Sequence, residues 1–183
     1  MNKIKIRGRI FKEFLDEEEI LEKVKEIARQ IENENRGKDI LFLSILNGAY
    51  VFTADLLRNI NLNVKVSFLK MSSYSGDKST GKIRRLIGLN ENLHNLTVII
   101  LEDIIDTGLT LDGVIEDIKD KGATDIKVAA LLFKPDAYKG SHRIDYRGFE
   151  IPNDFVIGYG LDFDGLGRNL RSVYRIVEEN NNK

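Results

Sequence analysis

A chain of 183 residues, 42% hydrophobic and 31% charged, holds enough apolar material for one domain with a sizeable core. Its 28 Lys and Arg nearly balance 29 Asp and Glu, so no net field draws it to nucleic acid or anionic lipid, and any phosphate binding must be local. The absence of cysteine excludes a disulfide framework and thiolate metal sites, and suits a reducing compartment.

Residues 1–16 mix basic and isolated apolar residues and lack the features of a signal peptide. The longest apolar run, 128–133, is far too short to cross a membrane, so a cytoplasmic location is expected. Next, Ile20, Leu21, Val24, Ile27, Ala28 and Ile31 recur at helical spacing, with Asp16 and Glu19 placed as a capping box. Five apolar, β-branched-rich runs follow as expected buried strands, at 40–46, 64–69, 96–101, 126–133 and 155–157. Helical patterns lie between several of them, at about 49–59 and 107–121, the second stopped by Gly122. Alternating strand and helix implies an α/β fold with a parallel sheet, whose ligands bind beyond the carboxyl ends of the strands. No internal repeat is present, residues 1–183 read as one domain, and the tail 180–183 is expected to fray.

The most informative segment is 96–111, in which an apolar strand runs into Glu102 and Asp103, then Asp106, Thr107, Gly108, Leu109 and Thr110. A strand feeding a Thr-Gly-x-Thr turn at a helix N-terminus aims backbone N–H groups, two hydroxyls and the positive helix end at one point, which is a phosphate cradle. Glu102 and Asp103 repel phosphate, but adjacent carboxylates accept hydrogen bonds from a vicinal diol or help to hold Mg²⁺. A phosphorylated sugar satisfies both halves.

This run closely resembles the phosphoribosyl pyrophosphate motif of type I phosphoribosyltransferases, in the version found in hypoxanthine-guanine phosphoribosyltransferases. The similarity extends from about residue 40 to 174. It implies a parallel β-sheet core flanked by helices, a small hood formed by N- and C-terminal segments, and a dimer or tetramer. Leu46-Asn47-Gly48-Ala49 resembles the pyrophosphate loop, where the peptide before the second residue is often cis. Ser73-Tyr74, with Gly76 and Ser79-Thr80-Gly81, is similar to the loop that closes over the reacting centre. Lys134, in Leu132-Phe133-Lys134-Pro135, matches the lysine that contacts the purine 6-oxo group. In the segment from Phe155 to Asp162, the resemblance makes Phe155 the stacking ring, Val156 the backbone reader of the base edge, and Asp162 a group near Mg²⁺. Arg168 is carried over as a pyrophosphate contact. Two departures stand out: Asn47 where many relatives carry lysine, and Asp164-Gly165-Leu166-Gly167 where they carry Asn-Glu-x-Tyr or Asn-Glu-x-Phe.

The resemblance implies transfer of a 5-phosphoribosyl group from phosphoribosyl pyrophosphate to N9 of hypoxanthine or guanine, through a transition state with oxocarbenium character. Asp106 is then the candidate general base for the N7 proton, and Lys134 favours a 6-oxo over a 6-amino purine. Glu102, Asp103 and Asp162 are the candidate Mg²⁺ neighbours. Other motifs mislead. Residues 76–82 match most of a Walker A pattern, but Ile83 stands where Ser or Thr is needed, and 83–89 reads as strand instead of helix. His94 and His142 share no metal-binding spacing and receive no role. No basic stripe interleaves with aromatics, which gives nucleic-acid binding no support, and no Gly-x-Gly-x-x-Gly supports a nicotinamide enzyme. A non-catalytic regulator on the same fold would be free to lose Lys134, the covering loop or Asp106, all of which this chain retains.

Overall fold

The computed structural model describes residues 2–72, 84–87 and 92–177. Asp16 starts the first helix as expected: its carboxylate accepts the Glu19 N–H at 2.9 Å, and the Glu19 carboxylate accepts the Asp16 N–H at 3.1 Å. The strands β1 (Lys3–Ile6) and β2 (Arg9–Leu15) precede this helix, α1 (Glu17–Glu34). Then follow β3 (Ile40–Leu46), α2 (Tyr50–Arg58), β4 (Lys65–Ser72), β5 (Arg84–Ile87) and β6 (Thr97–Ile105). The chain continues through α3 (Leu109–Asp120), β7 (Asp125–Phe133), β8 (Tyr146–Glu150), β9 (Val156–Ile157) and β10 (Val173–Ile176). No helix among the described residues is long and apolar enough to cross a membrane.

The larger sheet runs β5-β4-β3-β6-β7-β8, parallel throughout except for the antiparallel edge strand β5. Its central strands are apolar on both faces because both faces are covered. Phe42, Ile99, Leu101 and Ala129 pack with Ile20, Val24, Ile27 and Ile31 of α1 and with Phe52 and Leu56 of α2. Leu41, Leu43, Val98, Ile100 and Val128 pack on the other side with Leu111, Val114, Ile115 and Ile118 of α3. The period-2 alternation of the strands thus assigns each side chain to one of two cores.

Helix α2 crosses from β3 to β4 on one face, and α3 crosses from β6 to β7 on the other. Strands β3 and β6 are neighbours whose connections depart in opposite directions, which opens a crevice beyond their carboxyl ends. A second sheet, β1-β2-β10-β9, is antiparallel and built from both ends of the chain, as expected of the hood.

The expected set of five strands needs correction. Residues 155–157 are not the fifth strand of the core: β9 is a two-residue strand of the hood, paired with β10. The fifth parallel strand is β8, whose edge position leaves a polar sequence around the buried Tyr146 and so hides it from a search for apolar runs. Strands β1, β2 and β10 interleave apolar with charged residues and are only partly buried, and so escape the same search. Replacing Asp16 by Ala removes the carboxylate that accepts the Glu19 N–H and leaves the backbone half of the cap, and is expected to cost about 1 kcal/mol, read as a shift of the urea midpoint at unchanged slope.

Candidate active site

Because β3 and β6 lie side by side, the loop after β3 and the turn after β6 face each other across the crevice. The Leu46–Asn47 peptide is cis, as the resemblance implied. Asn47 itself is exposed and lies outside the cavity lining, whereas Gly48 forms part of the wall. A Cβ placed on Gly48 would lie 1.6 Å from Asp103 Oδ2, so only glycine allows the carboxylate to come this close to the loop.

A cavity of about 330 Å³ opens here, walled by Gly48, Asp103, Ile104, Asp106 and Lys134. Val156 of the hood strand β9 completes the wall together with Phe155, Leu161, Asp162 and Arg168 from the segments that flank β9. Lys134 is buried, and its Nζ lies 2.9 Å from Asp106 Oδ2. Phe155 keeps 44% of its surface exposed and packs edge-on against Phe163, leaving a ring face for a planar ligand. Arg168 pairs with Asp162 at 2.5 Å and donates to the Gly160 carbonyl at 2.7 Å. The glycine-rich departure at 164–167 is a tight turn closed by reciprocal hydrogen bonds between Phe163 and Leu166 of 2.9 and 3.0 Å. It therefore leaves Arg168 in the cavity.

A smaller cavity of about 110 Å³ adjoins the first and is lined by Glu102, Ile104, Asp106, Thr107, Gly108 and Thr110, among others. Gly108 has φ +86°, a left-handed conformation that glycine adopts without a Cβ penalty, and it starts α3. Thr110 is in the lining, but Leu109 is 71% exposed and outside it. Ile104 and Asp106 border both cavities, so a ligand reaching from one to the other passes these two side chains.

Burial pushes the Glu102 carboxyl well up, and the neighbouring Asp103 charge adds to the effect. Burial also raises Asp103, from 3.8 to about 6, against backbone hydrogen bonds and the Arg168 charge that lower it. Among the described residues, no three His, Asp, Glu or Cys side chains gather as a complete metal cage. Asp103 and Asp162 nonetheless offer hard oxygen donors on one cavity wall. That donor set fits Mg²⁺, which keeps waters and is commonly held by one or two carboxylates together with substrate phosphates.

The structure thus brings together Gly48, Glu102, Asp103, Asp106, Thr107, Gly108, Thr110, Lys134, Phe155, Val156, Asp162 and Arg168 along two adjoining cavities. It leaves Asn47 and Leu109 outside both linings, and Ser73 and Tyr74 fall outside the described residues. Sequence reasoning passed over Ile104 and Leu161, because an apolar residue within a strand or shelf segment reads as core. For Ile104 the available signal was its position between Glu102 and Asp106 in the acidic run.

Comparison with known proteins agrees with this geometry. The phosphoribosyl transferase domain family matches residues 11–164. A hypoxanthine-guanine phosphoribosyltransferase of Lactococcus lactis is 39% identical over 175 residues, covering 95% of each chain. The crystal structure of a hypoxanthine-guanine phosphoribosyltransferase from Bacillus anthracis, with HEPES in the active site, superposes with a TM-score of 0.85. It is 38% identical and covers 91% of this chain and 98% of that one. The Trypanosoma cruzi hypoxanthine phosphoribosyltransferase in complex with the product IMP gives a TM-score of 0.85 at 33% identity, over 95% and 97% of the two chains. The chain belongs to the phosphoribosyltransferase family, among the hypoxanthine-guanine phosphoribosyltransferases.

Proposed function

We propose that the protein transfers the 5-phosphoribosyl group of phosphoribosyl pyrophosphate to N9 of hypoxanthine or guanine, giving IMP or GMP and pyrophosphate. The observation that carries this reading is the Lys134–Asp106 pair, 2.9 Å apart on the cavity wall. The 6-oxo group and N7 of such a purine are adjacent on one edge of the ring. A donor beside an acceptor at hydrogen-bond separation matches that edge, and the exposed face of Phe155 lies at the same cavity to stack on the ring.

The smaller cavity takes the 5-phosphate: Thr107, Gly108 and Thr110 present hydroxyls and N–H groups at the start of α3. The anomeric carbon then lies near Ile104 and Asp106, between base and phosphate, with Glu102 and Asp103 as partners of the ribose hydroxyls. As N9 attacks, Asp106 accepts the N7 proton, while Lys134 donates to the 6-oxo oxygen and stabilises its growing negative charge. Arg168 and the Gly48 loop face the departing diphosphate. Asp103 and Asp162 are the residues that would hold Mg²⁺, which would supply neutralisation of charge on the leaving group. Ser73 and Tyr74 enter this reading through the family resemblance, as the cover that excludes water from an oxocarbenium-like centre.

A panel assay with hypoxanthine, guanine, xanthine and adenine in the presence of Mg²⁺ tests the reading directly, and transfer to none of the oxopurines would refute it. Asp106→Asn is expected to keep the fold and slow transfer by about 10²–10⁴-fold in steady-state kinetics, and a loss under about threefold would remove Asp106 from the base role. Lys134→Gln removes the cation that repels a 6-amino group, so the hypoxanthine-to-adenine ratio of kcat/KM should fall by at least ~10-fold.

Asp103 makes a separate claim on stability. Its folded pKa of about 6 lies above 3.8, so within that window the folded state binds more protons than the unfolded chain. Stability therefore falls as pH rises through the window, and the cost is complete above about 6. Asp103→Asn should raise the Tm of the ligand-free protein more at about pH 7.5 than at about pH 5. An equal Tm change at the two pH values would show that the buried charge is not the cause.

A further inference from the structure

The loop between β7 and β8 begins at Lys134, yet most of it leaves the base cavity and passes behind the phosphate turn. Lys134 N–H donates to the Ile105 carbonyl at 2.9 Å, and the N–H groups of Ala137 and Tyr138 both return to the Lys134 carbonyl at 3.2 Å. Lys139 N–H then donates to the Thr107 carbonyl at 3.0 Å. The backbone of the loop is thus bonded to both ends of the segment that carries Asp106.

Tyr138 fills the space behind Gly108. A Cβ on Gly108 would lie 2.5 Å from Tyr138 Cε2 and 3.3 Å from Gly140 Cα, so the turn rests on this ring with no side chain between them. Phe133 holds the ring from the sheet side, edge-on at 5.4 Å. The Tyr138 hydroxyl donates to the His142 carbonyl at 2.5 Å, and His142 Nδ1 lies 2.8 Å from Asp112 Oδ1 in the first turn of α3. Burial and the Asp112 charge push the Tyr138 phenol up, which keeps it a donor.

Neither Tyr138 nor His142 lines the phosphate cavity, so any effect they have on a ligand passes through the turn. We infer that Tyr138 and His142 are positioning residues for phosphoribosyl binding, Tyr138 as a wedge beneath Gly108 and His142 as a latch on the start of α3. This inference rests on the reading of the turn as the 5-phosphate site. The physical reason is that the turn acts through N–H groups aimed at one point, and displacement by about 1 Å can cost up to 10²-fold. Glycine at 108 gives the turn its left-handed conformation and also removes the side chain that would stiffen it. The ring supplies the missing support.

The test is Tyr138→Ala, with ribose 5-phosphate, phosphoribosyl pyrophosphate and IMP as probes in calorimetry. Dissociation constants for all three should rise about 10-fold, with kcat at saturation lowered less than about threefold and the hypoxanthine-to-adenine ratio unchanged. Tyr138→Phe keeps the wedge and should return the constants to within about twofold of wild type. A merely structural role would lower Tm in Tyr138→Ala and leave the affinities of the folded protein as they were. If Tyr138→Ala does not fold, His142→Ala keeps the ring, frees Asp112, and should weaken the same probes about threefold. Affinities within about twofold of wild type in whichever variant folds overturn the inference. Ribose 5-phosphate requires no transfer chemistry, so a wild type without activity would refute the proposed reaction while leaving the brace testable.

Discussion

Three segments of the chain meet at Gly48, and neither Gly48 nor Gly160 has room for a side chain. The Asp103 carboxylate occupies the place of a Gly48 side chain, and a Cβ on Gly160 would lie 2.1 Å from the Gly48 carbonyl oxygen. One of these segments follows β3, one lies near the end of β6 at Asp103, and one follows β9 of the hood. Their contact closes the cavity between the parallel sheet and the hood. A side chain at Gly48 would push the carboxylate away from the loop, and one at Gly160 would lift the segment after β9. The positions of Phe155, Val156 and Arg168 relative to Asp106 and Lys134 depend on both contacts.

The same closeness explains the electrostatics of a chain whose total charge is nearly zero. Asp103 is desolvated by the contact that places it, and Arg168 returns only part of the loss, because it is also paired with Asp162. The charge along the cavity is local and already paired: Arg168 with Asp162, and Lys134 with Asp106. Such pairs hold their members in place before substrate arrives, and electrostatic catalysis requires groups that need little reorganisation when charge develops.

The core was legible because its strands are covered on both faces, and unbroken apolar runs such as 40–46 and 126–133 leave little choice of structure. The turn proposed to bind phosphate was legible because its chemistry is contiguous: the acids, the hydroxyls and Gly108 lie within one strand-turn-helix unit. The hood was harder to read. Its strands come from both ends of the chain and pair β2 with β10 at a sequence separation that no local pattern reports. Tyr138 and His142 failed for a related reason. Each has an ordinary local setting in a polar loop, and each gains its role from a turn roughly thirty residues earlier. Residues that touch ligand announce themselves by chemical type, whereas residues that hold other residues in place are defined by packing.

The proposed base site is shared between two sheets, since Lys134 and Asp106 come from the core while Phe155 and Val156 come from beside and within the hood. Its dimensions therefore depend on what fixes the hood to the core. Val156, Tyr159 and Val173 belong to the cluster that contains α1 and α2, so the hood is packed into the main core. Tyr159 adds a directional tie: its hydroxyl donates to Asp55 of α2 at 2.7 Å, and burial followed by that carboxylate pushes the phenol strongly upward, which preserves the donor. Helix α2 begins just after the Gly48 loop, and Tyr159 lies between Gly158 and Gly160. One hydrogen bond thus joins the helix that follows the proposed pyrophosphate loop to the segment proposed to carry the base, and the Gly48–Gly160 contact joins them a second time. With two such ties, the loop at Gly48 and the segment that carries Phe155 are held at a fixed separation on either side of the cavity, so the geometry between them is set before any ligand enters.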